Sequence, residues 1–324
     1  MVFAPNWIGD AVMSLPILRA IRRARPEDPL AVLARPGPAA IYRAEGSADR
    51  VRVGSGSIRD VLTLRGLRAR EVWLLPNSFR SALFAFLSGT PERIGYDTDR
   101  RGPLLTHTLP FPPRTSHQLR DYDALLESRG IPPDTEAPRL PIPTEAARRA
   151  GRALAEAGLA SDRPLALLAP GAAFGWTKRW PAERYGRLAD ILFERGFARG
   201  VVIGPDERDL AIQVAGGARD PLPALGADLD PVELAALLAR ARVVITNDSG
   251  PMHLAAAVGT AVVSFFGPTD PGRTSPAGSP FRILDRHVFC SPCYLKECPY
   301  GHECMKEISA EDALRAVEEL ISSH

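Results

Sequence analysis

Lysine is nearly missing from this 324-residue chain: Lys178, Lys296 and Lys306 stand against thirty-seven arginines. A G+C-rich coding sequence produces such a bias, so each lysine that persists marks a position to inspect. An excess of charge of one sign is also missing. The net charge is +2, which argues against a protein that coats nucleic acid. No apolar run reaches the roughly 18–20 residues of a membrane span. The longest, 254–267, contains Gly and Thr and reads as a buried element leading into a strand. A secretory leader is not legible, because Asn6 and Asp10 interrupt the N-terminal apolar stretch. A cytoplasmic protein is therefore expected. Cysteine is confined to four residues between Cys290 and Cys304, unlike the spread of a disulfide-stapled secreted domain. What is present is a composition 45% hydrophobic, ordinary for a packed globular protein. At about 150 residues per domain, the length predicts two domains.

Strand-like and helix-like segments alternate throughout. Apolar runs at 2–4, 30–33, 72–75, 165–168, 201–203, 243–245 and 261–266 read as strands. Only Met1–Ala4 precede Pro5, so the first strand is either clipped or begins inside a longer chain. Three- and four-residue apolar spacing predicts helices over 81–87, 118–129, 146–157, 182–195, 231–240, 252–258 and 310–322. A proline-rich stretch from Gly130 to Thr144 reads as an interdomain linker. The alternation predicts an α/β protein with parallel sheets covered on both faces. Two such units leave a cleft between them, and ligands of open parallel sheets bind beyond the carboxyl ends of strands.

Five segments follow strands or carry unusual chemistry. The first, Pro5–Ala11, carries Asn6, Trp7, Gly9 and Asp10 and opens a helix. Asp10 suits the helix macrodipole, and it can also serve as a general base. Pro170–Pro181 is Gly-rich, carries Thr177, Lys178 and Arg179, and suits an anionic group. It lacks the spacing of a Walker A loop. Thr246–His253 contains Asp248, Ser249, Gly250 and His253. Asp248 and Ser249 can cap the helix that follows, while its free N–H groups can bind a diphosphate. Gly204–Glu207 offers Asp206 or Glu207 to ribose hydroxyls. The fifth is Cys290, Cys293, Cys298 and Cys304 with His302 nearby, a candidate structural zinc site whose spacing departs from that of a zinc ribbon. No Asp-x-Asp pair is read as following a strand in a metal-diphosphate role. Arg80, Arg93, Arg100 and Arg101 are candidate anion contacts in the N-terminal half.

In this order the segments resemble the heptosyltransferases of lipopolysaccharide inner-core synthesis, glycosyltransferase family 9, and within it the heptosyltransferase II group. The residues that carry the resemblance are Pro5–Ser14, Leu75–Arg80, Ala173–Pro181, Asn247–His253, Phe266–Thr269 and Cys290–Cys293. It implies a GT-B fold of two Rossmann-like domains facing across a cleft. Residues 1–145 would bind the acceptor and 146–308 the ADP-sugar, with a C-terminal helix over 309–324 returning to the N-terminal domain. The implied reaction moves heptose from ADP-L-glycero-β-D-manno-heptose to a lipid A-linked heptosyl-Kdo acceptor, with inversion and without a cofactor. Asp10 maps onto the family's candidate base and Lys178 onto its phosphate-binding lysine. Thr177, Glu207, Asp248, Ser249, Gly250 and His253 fall to the donor; Asn6, Gly9, Asn77, Arg80 and Arg101 fall to the acceptor. A monomer in peripheral contact with the cytoplasmic face of the inner membrane, and no nucleic-acid partner, complete the expectation. Heptosyltransferase I or another family 9 transferase is the alternative within the family. A GT-B sugar-nucleotide epimerase and a non-catalytic nucleotide-sugar-binding protein are the alternatives beyond it.

Overall fold

Two sheets with the same winding organise the chain. The computed structural model describes residues 1–322 and divides into units Met1–Leu140 and Pro141–His324. The first unit holds β1 (Val2–Phe3), β2 (Ala31–Ala34), β3 (Arg50–Val53), β4 (Glu71–Leu74), β5 (Glu92–Asp97) and β6 (His107–Pro110). They pair in parallel in the order β3-β2-β1-β4-β5-β6. The second unit holds β7 (Leu165–Ala169), β8 (Ala198–Val202), β9 (Ala224–Leu225), β10 (Val243–Asn247), β11 (Ala261–Phe266) and β12 (Phe281–Asp285). Their order is β12-β11-β10-β7-β8-β9, again parallel. Counted from its own first strand, the second sheet repeats the order of the first. In each, the winding reverses between the first and fourth strands, β1/β4 and β7/β10. The loops leaving those two strands diverge there and open a crevice at their carboxyl ends.

The central strands form because both of their faces are buried. Every residue of β7 and β10 is buried, which the apolar runs 165–168 and 243–245 anticipate. The edge strands β3 (RVRV) and β12 (FRILD) pair on one side only and admit arginine. In the first unit, helices Arg59–Leu67 and Phe79–Leu87 pack against each other. They cover one sheet face with Val61, Leu64, Ala82, Phe84 and Ala85, against Leu33, Val72 and Leu74. In the second unit, helix Pro231–Leu238 starts in a capping box formed by Asp230 and Glu233. Helix Ala182–Glu194 is followed by Gly196 at φ +89°, a conformation that glycine adopts without strain.

Two expectations about organisation change. The units separate at Leu140–Pro141, inside the proline-rich stretch but ahead of the boundary expected after 145. Helix Ala310–Ser322 buries Ala313, Leu314, Ala316, Val317 and Leu320 on helix Ala182–Glu194, β11 and β12 of its own unit. Its apolar stripe is used there, which makes the expected separate C-terminal segment part of the second unit. Residues 323–324 of that expected segment lie outside the described residues.

Candidate functional site

In the second unit the loop after β7 is tied at both ends by one buried side chain. The Asn247 amide donates to Pro170 O at 2.7 Å, and its Oδ1 accepts from Trp180 N at 2.9 Å and Tyr185 Oη at 3.1 Å. Between these ties Lys178 Nζ donates to Asp248 Oδ2. The same carboxylate accepts from Thr269 Oγ1 at 2.7 Å and Thr274 Oγ1 at 3.4 Å. The lysine side chain is 13% exposed and the aspartate 5%, so the ammonium is fixed in a shielded place at the switch point.

Ser249 occupies the N-cap of helix Gly250–Ala257, yet its side chain makes no capping bond. Asp248 does not cap that helix either; its oxygens go to Lys178, Thr269 and Thr274. The expected capping role for these two residues is thus replaced, and the first turn has no side-chain cap. His253 is buried in that first turn. Glu207 accepts from Gly204 N at 2.9 Å. Its carboxylate overlies Gly171, where a Cβ would come within 2.2 Å of Oε1. Of the two acids proposed for ribose, Glu207 therefore meets the β7 loop, while Asp206 is exposed.

The segment carrying the cysteines forms the floor of this loop. Thr177 is buried and its Oγ1 donates to Leu295 O at 2.7 Å. Its hydroxyl faces inward, which corrects its expected role as a phosphate contact. His302, buried and in the left-handed conformation at φ +65°, bonds through Nε2 to Thr177 O at 2.7 Å. Its ring meets Trp176 edge to face. Burial holds the imidazole below its ordinary pKa, so it is neutral and Nε2–H is the donor. Gly175 lies against Lys296, where a Cβ would come within 3.3 Å of the Lys296 carbonyl oxygen. Phe174 lies under two ammonium groups, Lys178 Nζ at 5.0 Å and Lys296 Nζ at 5.6 Å from its centroid. Two of the three lysines thus meet at one ring, a convergence that sequence spacing does not contain.

All four cysteines are free thiols, with Cys304 buried and the others half-buried. Burial, and then the proximity of the other three, push the Cys304 thiol up to about 11, so it stays protonated. Among the described residues no three His, Cys, Asp or Glu side chains are grouped to hold a metal ion. The zinc expected at Cys290, Cys293, Cys298 and Cys304 therefore has no formed cage. Hydrogen bonds hold the segment instead: Ser291 Oγ donates to Gly267 O, and Tyr294 N donates to Pro268 O at 2.7 Å.

The switch point of the first unit is built differently. Asp10 lies half-buried in the first turn of helix Ile8–Met13, and Gly9 beside it is buried. Asp10 Oδ1 accepts from Gln118 Nε2 at 3.0 Å, and the same amide reaches Tyr122 Oη at 3.3 Å. Burial raises the Tyr122 phenol first, and the nearby Asp10 charge raises it further. The phenol therefore stays protonated. Gln118, which the sequence reading took only as a helix start, is a neutral support for the carboxylate.

Asn6 and Arg80 line a cavity at the strand ends together with Arg35, Ser78, Gly54 and Gly56. Arg35 is a cation the sequence reading did not single out. Asn77 and Arg80 are exposed after β4. Arg101, expected on the acceptor, is fully buried. It donates to Tyr96 O at 2.8 Å, Ser81 Oγ at 3.1 Å, Asn77 Oδ1 at 3.2 Å and Pro76 O. Burial lowers its pKa to about 10. It braces the loop after β4, so it is a scaffold rather than a ligand. Arg93 is likewise committed, to Leu104 O and Thr90 O at 2.6 Å each. Arg100 is exposed, in a left-handed conformation. An Asp-x-Asp pair does follow β5: Asp97 accepts from Gly102 N at 3.1 Å and Asp99 from Phe79 N at 2.6 Å. Both shape turns.

Residues 62–303 match the profile of Glycosyltransferase family 9 (heptosyltransferase). A lipopolysaccharide heptosyltransferase 2 of Salmonella typhimurium is 27% identical over 88% of this chain and 87% of its own. A lipooligosaccharide heptosyltransferase 2 of Haemophilus ducreyi is 29% identical over 85% of each chain. The solved ADP-heptose lps heptosyltransferase II of E. coli superposes with a TM-score of 0.85 at 24% identity, over 99% of this chain and 98% of that one. The fold is that of these GT-B enzymes.

Proposed function

The chain belongs to glycosyltransferase family 9, the heptosyltransferases, and from that premise we propose that it transfers L-glycero-D-manno-heptose from ADP-L-glycero-β-D-manno-heptose to a heptosyl-Kdo acceptor linked to lipid A. The relatives called heptosyltransferase 2 favour this acceptor over the heptosyltransferase I alternative. The observation that carries the reading is the shielded Lys178–Asp248 pair beside the uncapped start of helix Gly250–Ala257. A nucleoside diphosphate leaving group gains negative charge as the glycosidic bond breaks. A fixed ammonium and the Gly250 N–H at the positive end of the helix dipole stabilise that charge without reorganising during the step.

The acceptor hydroxyl transfers its proton to Asp10 as its oxygen bonds to the anomeric carbon. The bond from that carbon to the β-phosphate oxygen breaks, and its electron pair departs with ADP. Attack opposite the leaving group inverts the centre. Asp248 holds Lys178 rather than phosphate, since a carboxylate next to a diphosphate would repel it. Gly250 contributes backbone N–H, and Glu207 takes the ribose hydroxyls. Asn6 and Arg80, joined by Arg35, face the anionic acceptor. The chain's own cations meet the developing charge, so the scheme calls for no cofactor. The reading includes a monomer working against the cytoplasmic face of the inner membrane. Among the described residues no helix is long and apolar enough to cross a membrane.

The test is incubation with ADP-heptose, with and without a deacylated heptosyl-Kdo acceptor. A heptosylated product that needs both substrates is expected. Conversion of the donor sugar alone would indicate an epimerase, and binding without turnover a non-catalytic protein; either overturns the reading.

A further inference from the structure

The outer faces of helices Arg59–Leu67 and Phe79–Leu87 carry more apolar surface than their packing needs. Their inner faces already fill the sheet contact with Val61, Leu64, Ala82 and Ala85. Outside, Ile58 is 62% exposed and Leu62 68%, one turn apart; Phe79 is 42% exposed, Phe86 47% and Leu87 42%. These residues share outward faces at spacings of four, seven and eight, and the two helices touch. An exposed apolar cluster of this kind on a folded unit marks a contact surface.

The charges around it are of one sign. Between residues 59 and 87, the span of the two helices, there are five arginines, and all five are exposed. The same stretch holds only two acids, Asp60 and Glu71. Asp60 is buried and accepts from Ser55 N and Gly56 N, both at 2.8 Å. Glu71 is half-buried and pairs with Arg25. Neither offsets the exposed cations. Arg93 adds its guanidinium over the Phe86 ring at 5.4 Å. A second copy of this chain would bring five arginines against five, so self-pairing through this face is opposed. A negatively charged lipid surface satisfies both features: the aromatic and aliphatic side chains enter the headgroup boundary and the guanidinium groups meet the phosphates.

We infer that the outer faces of these two helices form the surface by which the chain docks on an anionic lipid bilayer. The proposed lipid-linked acceptor gives this docking a use, but the support is the face itself. The test is co-sedimentation of the full chain, without donor or acceptor, with phosphatidylcholine vesicles and with vesicles that also contain phosphatidylglycerol. Binding to the anionic vesicles alone, released by salt, is expected. The double variant Arg59→Ser/Arg65→Ser should weaken it by about fivefold per arginine. Leu62→Ser/Phe86→Ser should weaken it by roughly tenfold or more, from the apolar area withdrawn from lipid. Both variants should keep the thermal unfolding profile and the transfer to a soluble acceptor. Equal binding to neutral vesicles, no binding to either, or variants that bind like the parent would overturn the inference. So would lipid-free self-association that these variants abolish, which would assign the face to a second copy. Vesicle binding as expected with no transfer activity would leave this surface standing and sink the proposed reaction alone.

Discussion

The two switch points share one strand order and differ in how each holds its charged residue. After β1 a carboxylate, Asp10, is supported by the neutral amide of Gln118 and stays half-buried. After β7 an ammonium, Lys178, is clamped by a carboxylate and shielded from water. In the proposed reaction a base must be reachable by the proton it takes, and half-burial leaves Asp10 so. An electrostatic clamp must stay charged and still, and an opposite charge fixes it. Strand order sets where the chemistry happens; the loops set what it is.

The sharpest way to break this division is Asp10→Asn. Turnover should fall by about 10²–10⁴-fold while ADP-heptose affinity, measured by calorimetry, is retained. Near-parental turnover would remove Asp10 as the base. Lys178→Met should lower kcat/KM by about 10²–10³-fold and weaken donor binding as well. That change alone leaves Asp248 buried without its cation, at a cost of about 3–5 kcal/mol. Lys178→Met/Asp248→Asn should therefore regain thermal stability without regaining turnover, separating the clamp from the scaffold.

Smaller effects sharpen the picture. Lys296→Met removes the second ammonium at Phe174 and should raise the KM for donor a few-fold, as expected for one exposed charge on a phosphate, with kcat held. The smallest effect concerns His302. Its folded-state pKa lies below the ordinary 6.5, so the unfolded chain takes up the proton first as pH falls. Stability contributed by the neutral ring is therefore complete above that ordinary value and declines as pH drops below it. His302→Gln, which keeps a donor for Thr177 O, should flatten the melting temperature against pH over that interval. An unchanged pH slope would show that another group carries it.

Much of this was readable from sequence because burial leaves an unambiguous pattern. β7 is apolar from end to end, β10 opens and β11 both opens and closes on apolar runs, and the candidate loops follow them. β3 and β12 escaped the reading because an edge strand tolerates arginine on its open side. Side-chain direction was the other blind spot. Arg101 looked like a surface cation, since nothing local announces that four backbone and side-chain acceptors await it inside. Thr177 sits in the right loop but turns its hydroxyl inward. Gln118 and Asp10 are 108 residues apart, and Lys178 and Lys296 meet only through Phe174, so neither pairing has a local signal. The family resemblance supplied Asp10 and Lys178; the structure supplied what holds them.

The Asn247 amide has one more consequence. By gripping the chain at Pro170 and again at Trp180 it closes the intervening segment into a non-covalent ring. A ring of fixed circumference cannot absorb an extra residue by sliding its ends. Any insertion between those grips must bulge, either inward against Leu295 and His302 or outward into the crevice at the carboxyl end of β7. Loop length here acts as a gauge on the width of that crevice, set by a residue buried beneath it.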